Sequence, residues 1–262
     1  MPRQNRVTPF GTLEAVSARG TLMGNRGIMH DVNGVLGAAR WQHSHWIACR
    51  LAFKGRWRPI MAARSWTELF FLDEAVAFAA GHRPCAECRR EDYRRFLVAW
   101  RAARGLPASS KLLATDIDRA LHKERVESRT RTQITFQANL PDLPYGTFVA
   151  IPPGRDAWVT IETDILRWTH AGYDWSRPMH AVDVEVLTPR SIVEVFRAGY
   201  RPMLHPSAEA GVDTPSPPKG GEGGGEGQRS QGFFPYPRVS GLNLIRWGWS
   251  ASAPRRRLRS AS

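Results

Sequence analysis

The stretch DEAVAFAAGHRPCAECRREDYRRFLVAW, residues 73–100, constrains the chain more than any other. Asp73 is placed to accept from the first free amides of a short helix over EAVAFAA, and Gly81 follows where a left-handed C′ residue ends a helix. Two residues separate Cys85 from Cys88, a spacing that lets both sulfurs face one tetrahedral metal site while the amides of the turn also point at them. Tyr93, Phe96, Leu97 and Trp100 then recur at i, i+3, i+4 and i+7 and mark one apolar helical face. Arg90, Arg94, Arg95, Arg101 and Arg104 occupy the opposite face, and Gly105 and Pro107 stop the helix. The expected unit is a helix, a C-x-x-C turn and a second, basic helix.

The flanking patterns predict an α+β chain. WQHSHWIACRLAF, residues 41–53, reads as a strand, and PIMAA and WTELFFL as one or two more, which gives a small antiparallel meander. TDIDRALHKERV reads as a further helix, with Thr115 and Asp118 at capping-box spacing. From about residue 133 short strands follow, ITFQA, GTFVAI, AWVTI, ILRW and VDVEVLT, broken by PDLPYG, PPGRD and THAGYD. A closing helix is bracketed by Thr188 as N-cap, Pro189 at N1 and Gly199 at C′. The expected units are residues 1–130, a metal-binding α+β module with basic helices; 131–205, a β-rich unit with its closing helix; and 206–262, a low-complexity tail. That tail is rich in Gly, Pro, Ser and Glu, cannot offset its ordering entropy and is expected to be disordered.

Charge narrows the partners. Of 262 residues, 37 are Lys or Arg and 24 are Asp or Glu, a net +13. The excess is local: between residues 83 and 131, thirteen cations stand against seven acids. Such a concentration beside the C-x-x-C suits a phosphate-tracking surface, because Lys and Arg displace condensed counterions from nucleic acid. Arg90, Arg94, Arg95 and Arg101 are therefore the candidate nucleic-acid contacts. A solvated amphipathic helix in an Arg-rich bacterial protein has the same appearance. No apolar run approaches the 18 residues of a spanning helix, and the start MPRQNRVTPFGTLEAV has no apolar stretch behind its charges, so a cytoplasmic protein is expected.

Three cysteines do not make a disulfide framework. Cys85 and Cys88 supply half a zinc site, Cys49 is the one remaining thiol, and a fourth ligand must come from elsewhere. On a strand rising about 3.3 Å per residue, His45 and Cys49 share a face but lie roughly 13 Å apart, too far for one ion. His82, close to Cys85, and His30, in GNRGIMHD, are the candidates. A relic without metal, with Cys49 a plain buried thiol among Trp46, Ile47, Leu51 and Phe53, is the second reading, and a redox pair is the third.

LFFLDEAVAFAAGHRPCAECRREDYRRF resembles the end of the zinc-binding methylphosphotriester domain of the Ada DNA-repair family. The resemblance covers some 25 to 30 residues and implies a small zinc-stabilised meander-plus-helix module that touches DNA, with Cys85 and Cys88 as ligands. That domain has two further cysteines on its upstream strand, one of them the methyl acceptor, whereas this chain offers only Cys49. A methyl-accepting four-thiolate site is thus not expected here.

Other candidates carry less. GTLMGNRG, residues 20–27, matches neither a Walker loop nor a dinucleotide fingerprint and reads as a turn or a close backbone approach. His30 with Asp31, and His122 with Asp118 four residues earlier, are the pairs open to acid–base work. No G-x-S-x-G or H-E-x-x-H appears. The leading expectation is a nucleic-acid-binding protein, with DNA the first partner, carrying a structural zinc. Its rivals are an enzyme of undefined reaction, acting on nucleic acid, and a structural or partner-binding protein.

Overall fold

The computed structural model describes residues 1–152, 154–210 and 245–246, and their fold is α+β, with two six-stranded sheets and five helices. The first sheet is built from β1 (Arg6–Val7), β2 (Leu13–Glu14), β3 (Leu22–Asn25), β4 (Ile47–Arg50), β6 (Leu69–Phe71) and β7 (Arg83–Pro84), in the order β2-β1-β6-β3-β4-β7. The short β5 (Trp57–Arg58) lies outside it and pairs with β14 (Ile245–Arg246). Two of its pairings, β1 with β6 and β4 with β7, are parallel, so the sheet is mixed and larger than the antiparallel meander expected from sequence.

Glycine hid the middle of this sheet. Residues 20–27 contain β3, whose four residues are all buried, rather than a turn. Gly24 is there for close approach: a Cβ on it would stand 2.3 Å from the Ile47 carbonyl and 2.9 Å from the Phe71 ring. The strand expected over residues 41–53 shortens to Ile47–Arg50.

The helix α1 (Glu74–Ala79) is buried along its whole length and is capped as expected, with Val76 N donating to Asp73 Oδ1 at 2.9 Å and Gly81 at φ 79°. In α2 (Arg90–Ala103) the buried residues are Phe96, Ala99 and Trp100. They pack with Phe78 of α1, with Ile117 and Leu121 of α3 (Ala114–Arg125), and with Ile192, Val195 and Phe196 of α4 (Arg190–Arg197). Two caps differ from expectation. Thr115 lies inside α3 with no side-chain cap at its start, because Asp118 is buried in an ion pair described below. Pro189, not Thr188, is the N-cap of α4, since Thr188 Oγ1 accepts from Phe148 N at 2.9 Å.

The second sheet is antiparallel and runs β12-β11-β10-β9-β13-β8. It comprises β8 (Phe136–Asn139), β9 (Phe148–Ala150), β10 (Ala157–Thr160), β11 (Asp164–Thr169), β12 (Gly172–Pro178) and β13 (Asp183–Val186). The segment read as the turn THAGYD starts β12, the partner of β11 in a hairpin. One apolar cluster joins the two sheets, with Leu69, Phe71 and Val76 from one side and Phe148, Val159, Leu166 and Tyr173 from the other.

Two buried carboxylates reinforce that seam. Asp73 Oδ2 accepts from Tyr173 OH at 2.6 Å and from His205 N at 2.9 Å. Glu74 accepts from Arg89, from Tyr200 OH at 2.7 Å and from Met203 N at 2.9 Å. Residues 207–210, assigned by composition to the tail, form the single turn α5 (Ser207–Ala210) with the Ser207 hydroxyl accepting from Tyr173 N. The disorder expected beyond them falls, but for 245–246, outside the described residues.

Candidate metal centre

Cys49, Cys85 and Cys88 converge, their sulfur atoms all within 4.8 Å of one another. Strand pairing does this. Cys49 sits on β4 opposite Met23 of β3, and the parallel β4–β7 pairing places Cys85 alongside, with Cys85 N donating to the Ala48 carbonyl at 3.0 Å. Cys88 follows in the turn and directly precedes Arg89, the N-cap of α2. All three are buried, with Met23 and Phe70 closing the cluster.

The surroundings favour thiolate at Cys85. The Cys85 sulfur lies well below the usual thiol range because the Cys49 thiol, and then the Cys88 thiol, donate to it, with the amides of Cys88 and Glu87 adding to the effect. Cys49, which donates to Cys85 and Cys88 and is buried, is pushed well above that range. Cys88 is drawn down by Cys49 but pushed up more by donation to Cys85 and by burial, reaching about 11, with the Arg50 amide on its sulfur. Cys85 is thus the thiol that gives up its proton most readily, and a cation would displace the remaining protons. Tetrahedral zinc at about 2.3 Å from each sulfur needs sulfur separations of about 3.8 Å, inside the 4.8 Å within which the three sulfurs lie.

Neither expected histidine joins the cysteines. His82 stands three residues before Cys85 on an extended stretch and therefore points to the opposite face. Its ring packs on Trp46 at 5.2 Å and Phe71 at 4.6 Å, and Nε2 accepts from Arg26 Nε at 3.4 Å. His30 has both nitrogens engaged, Nδ1 with Thr67 Oγ1 at 2.6 Å and Nε2 with the Ala62 carbonyl at 3.2 Å. Glu87, inside the C-x-x-C, turns outward to Lys54 and Arg56. Among the described residues the ligand set is therefore three thiolates, one short of a closed structural zinc site.

The other candidates lie apart. Asp31 accepts from the amides of Asn33 and Val35 in an exposed turn and makes no hydrogen bond to His30 among the described residues. His122 Nδ1 pairs with Arg125, not with Asp118. On α2, Arg90 and Arg94 are exposed, Arg94 and Arg95 pair with Glu91 and Asp92 along the helix, and Arg101 donates to the Ser110 carbonyl. Sequence reasoning missed the bidentate pair of Arg83 with Asp118, at 2.7 and 2.8 Å, to which His45 adds a contact of 2.8 Å. It links residues 35 apart and leaves no local signature.

Comparison with protein-family models, with curated proteins and with solved structures finds no match to this chain. No described helix is long and apolar enough to cross a membrane.

Proposed function

We propose that this chain binds zinc through Cys49, Cys85 and Cys88 and is a nucleic-acid-binding protein, with DNA the first partner to test. The observation that carries the metal reading is the convergence of three buried sulfurs from two paired strands and a turn. Thiolate ligands and a turn whose amides face sulfur suit zinc better than magnesium or calcium, which take oxygen ligands. The fourth ligand is then a water or a group from outside the described residues. The likeness to the Ada methylphosphotriester module belongs to this reading, with architecture and metal carried over and methyl transfer left out. The nucleic-acid part is supported by the net charge of +13 and by the exposed Arg90 and Arg94 beside the cysteines.

Metal analysis of the purified full chain tests the first part. One zinc per chain is expected, a chelator should lower the melting temperature, and Cys88→Ser should lower it similarly without chelator. For a chain of this size each kcal/mol lost is worth roughly 2–4 °C. A protein that takes up no zinc when refolded with it, and whose melting is indifferent to chelator, would leave the cysteines as small buried apolar groups.

A further inference from the structure

Trp46, 1% exposed, has two guanidinium groups against its ring, Arg26 at 4.1 Å and Arg125 at 3.8 Å. Both arginines are themselves buried, at 3% and 1% exposure. Neither has a carboxylate partner among the described residues. The nearby acid, Asp118, is already shared between Arg83 and His45. Arg26 donates to the carbonyls of Gly11 at 3.1 Å and Ala80 at 3.4 Å and to His82 Nε2 at 3.4 Å, and Arg125 to the carbonyls of Gly81 at 2.6 Å and Ser44 at 2.7 Å and to His122 Nδ1 at 3.0 Å. These carbonyls, two of them at the C-terminal end of α1, occupy N–H groups but do not neutralise two charges. Arg125 Nε has no acceptor among the described residues.

The cost of this arrangement is visible in the arginines. Burial, with Arg40 as a further like charge, brings Arg26 down to about 9, and burial with Arg26 beside it pulls Arg125 well below the usual range. The group lies behind a half-exposed rim of Trp41, His43 and His122. His122 stands edge-on to both Trp41 and Trp46, at 5.5 and 5.9 Å, and His43 Nδ1 has no partner among the described residues. Water could satisfy a stray donor, but it cannot supply the missing negative charge.

We propose that Arg26 and Arg125, on the Trp46 ring, form a binding site for a phosphate-type oxyanion, either free phosphate or the terminal phosphate of a nucleotide or oligonucleotide. Two forked donors, an orphan Nε–H and imidazoles at the entrance are what such an anion takes. The site is separate from the cysteines, and it stands whether or not the chain binds metal or tracks a nucleic-acid backbone.

The test uses the full chain and inorganic phosphate against sodium chloride at matched ionic strength. Phosphate is expected to broaden its own phosphorus NMR line in proportion to protein, to shift the Arg125 Nε–H proton resonance, and to raise the melting temperature with log concentration. Arg125→Gln should weaken binding about tenfold or more, and Arg125→Lys, which keeps the charge but loses the fork, should weaken it less. The resonance shift in unsubstituted protein decides the matter should the variants not fold. Arg94→Gln, on the exposed face of α2, should leave the response intact. An oligonucleotide with a 5′-phosphate competing better than free phosphate would assign a nucleic-acid end, and equal competition would assign the free anion. No line broadening and no stabilisation beyond chloride, or a response abolished by Arg94→Gln, would overturn the proposal.

Discussion

Asp118 shows how much a single buried side chain decides here. It is 1% exposed and holds Arg83, also buried, by both oxygens. Asp118→Ala would strand that guanidinium, and a loss of about 3–5 kcal/mol is expected by denaturant titration. Double replacement with apolar residues of similar volume should recover much of it. Asp73 gives a pH signature. Burial raises its carboxyl to about 6, against the hydrogen bonds from Tyr173, Val76 and His205 that lower it, with Glu74 adding to the rise. The native state therefore keeps a proton between about pH 4 and 6 that the unfolded chain has released. This group's contribution is largest below pH 4, falls as pH rises to 6 at up to about 1.4 kcal/mol per unit, and is flat above. Asp73→Asn should remove that slope, seen by comparing the pH dependence of unfolding free energy in the two proteins. Had the Asp73 proton been lost with a depressed value instead, the slope would have the opposite sign.

Among the elements, legibility followed the length of the pattern. Helix α2 was readable because four apolar residues share one face over two turns, and α1 because Asp73 and Gly81 mark its ends. The three cysteines were readable as a set, since a C-x-x-C needs further ligands and one other thiol exists. The side of the chain facing them was not: β7 is two residues long, too short to carry a period, and it is its extended backbone that turns His82 away. Strand β3 was masked by Gly20, Gly24 and Gly27, whose roles depend on neighbours far along the chain. The basic face of α2 was foreseen, but Arg95 is held by Asp92 at 2.8 Å whereas Arg94 meets Glu91 only at 3.6 Å with both side chains exposed, which leaves Arg90 and Arg94 as the more available cations. Replacing Arg90 and Arg94 with Ala should reduce the slope of log affinity for double-stranded DNA against log salt by about 2, one unit per phosphate contact. An unchanged slope would place any DNA contact on another face.

At the scale of the whole molecule, the two sheets share a core and the polar seam of Asp73 and Glu74, so loss of one should be felt by the other. A single cooperative transition is expected across the described body, with tryptophan fluorescence and far-ultraviolet dichroism giving the same midpoint. The metal centre has a kinetic consequence that its geometry alone conceals. Cys85 and Cys88 are neighbours along the chain, but Cys49 reaches them only when β4 and β7 have paired across a long crossover. The entropy of closing that loop is lost before the third sulfur is gained. If the crossover closes after the barrier to folding, zinc acts on the native side of it, slowing unfolding while leaving the folding rate nearly unchanged. Stopped-flow chevrons with and without the ion should differ in the unfolding arm alone, which makes the centre a latch on a finished sheet and not a seed for building it.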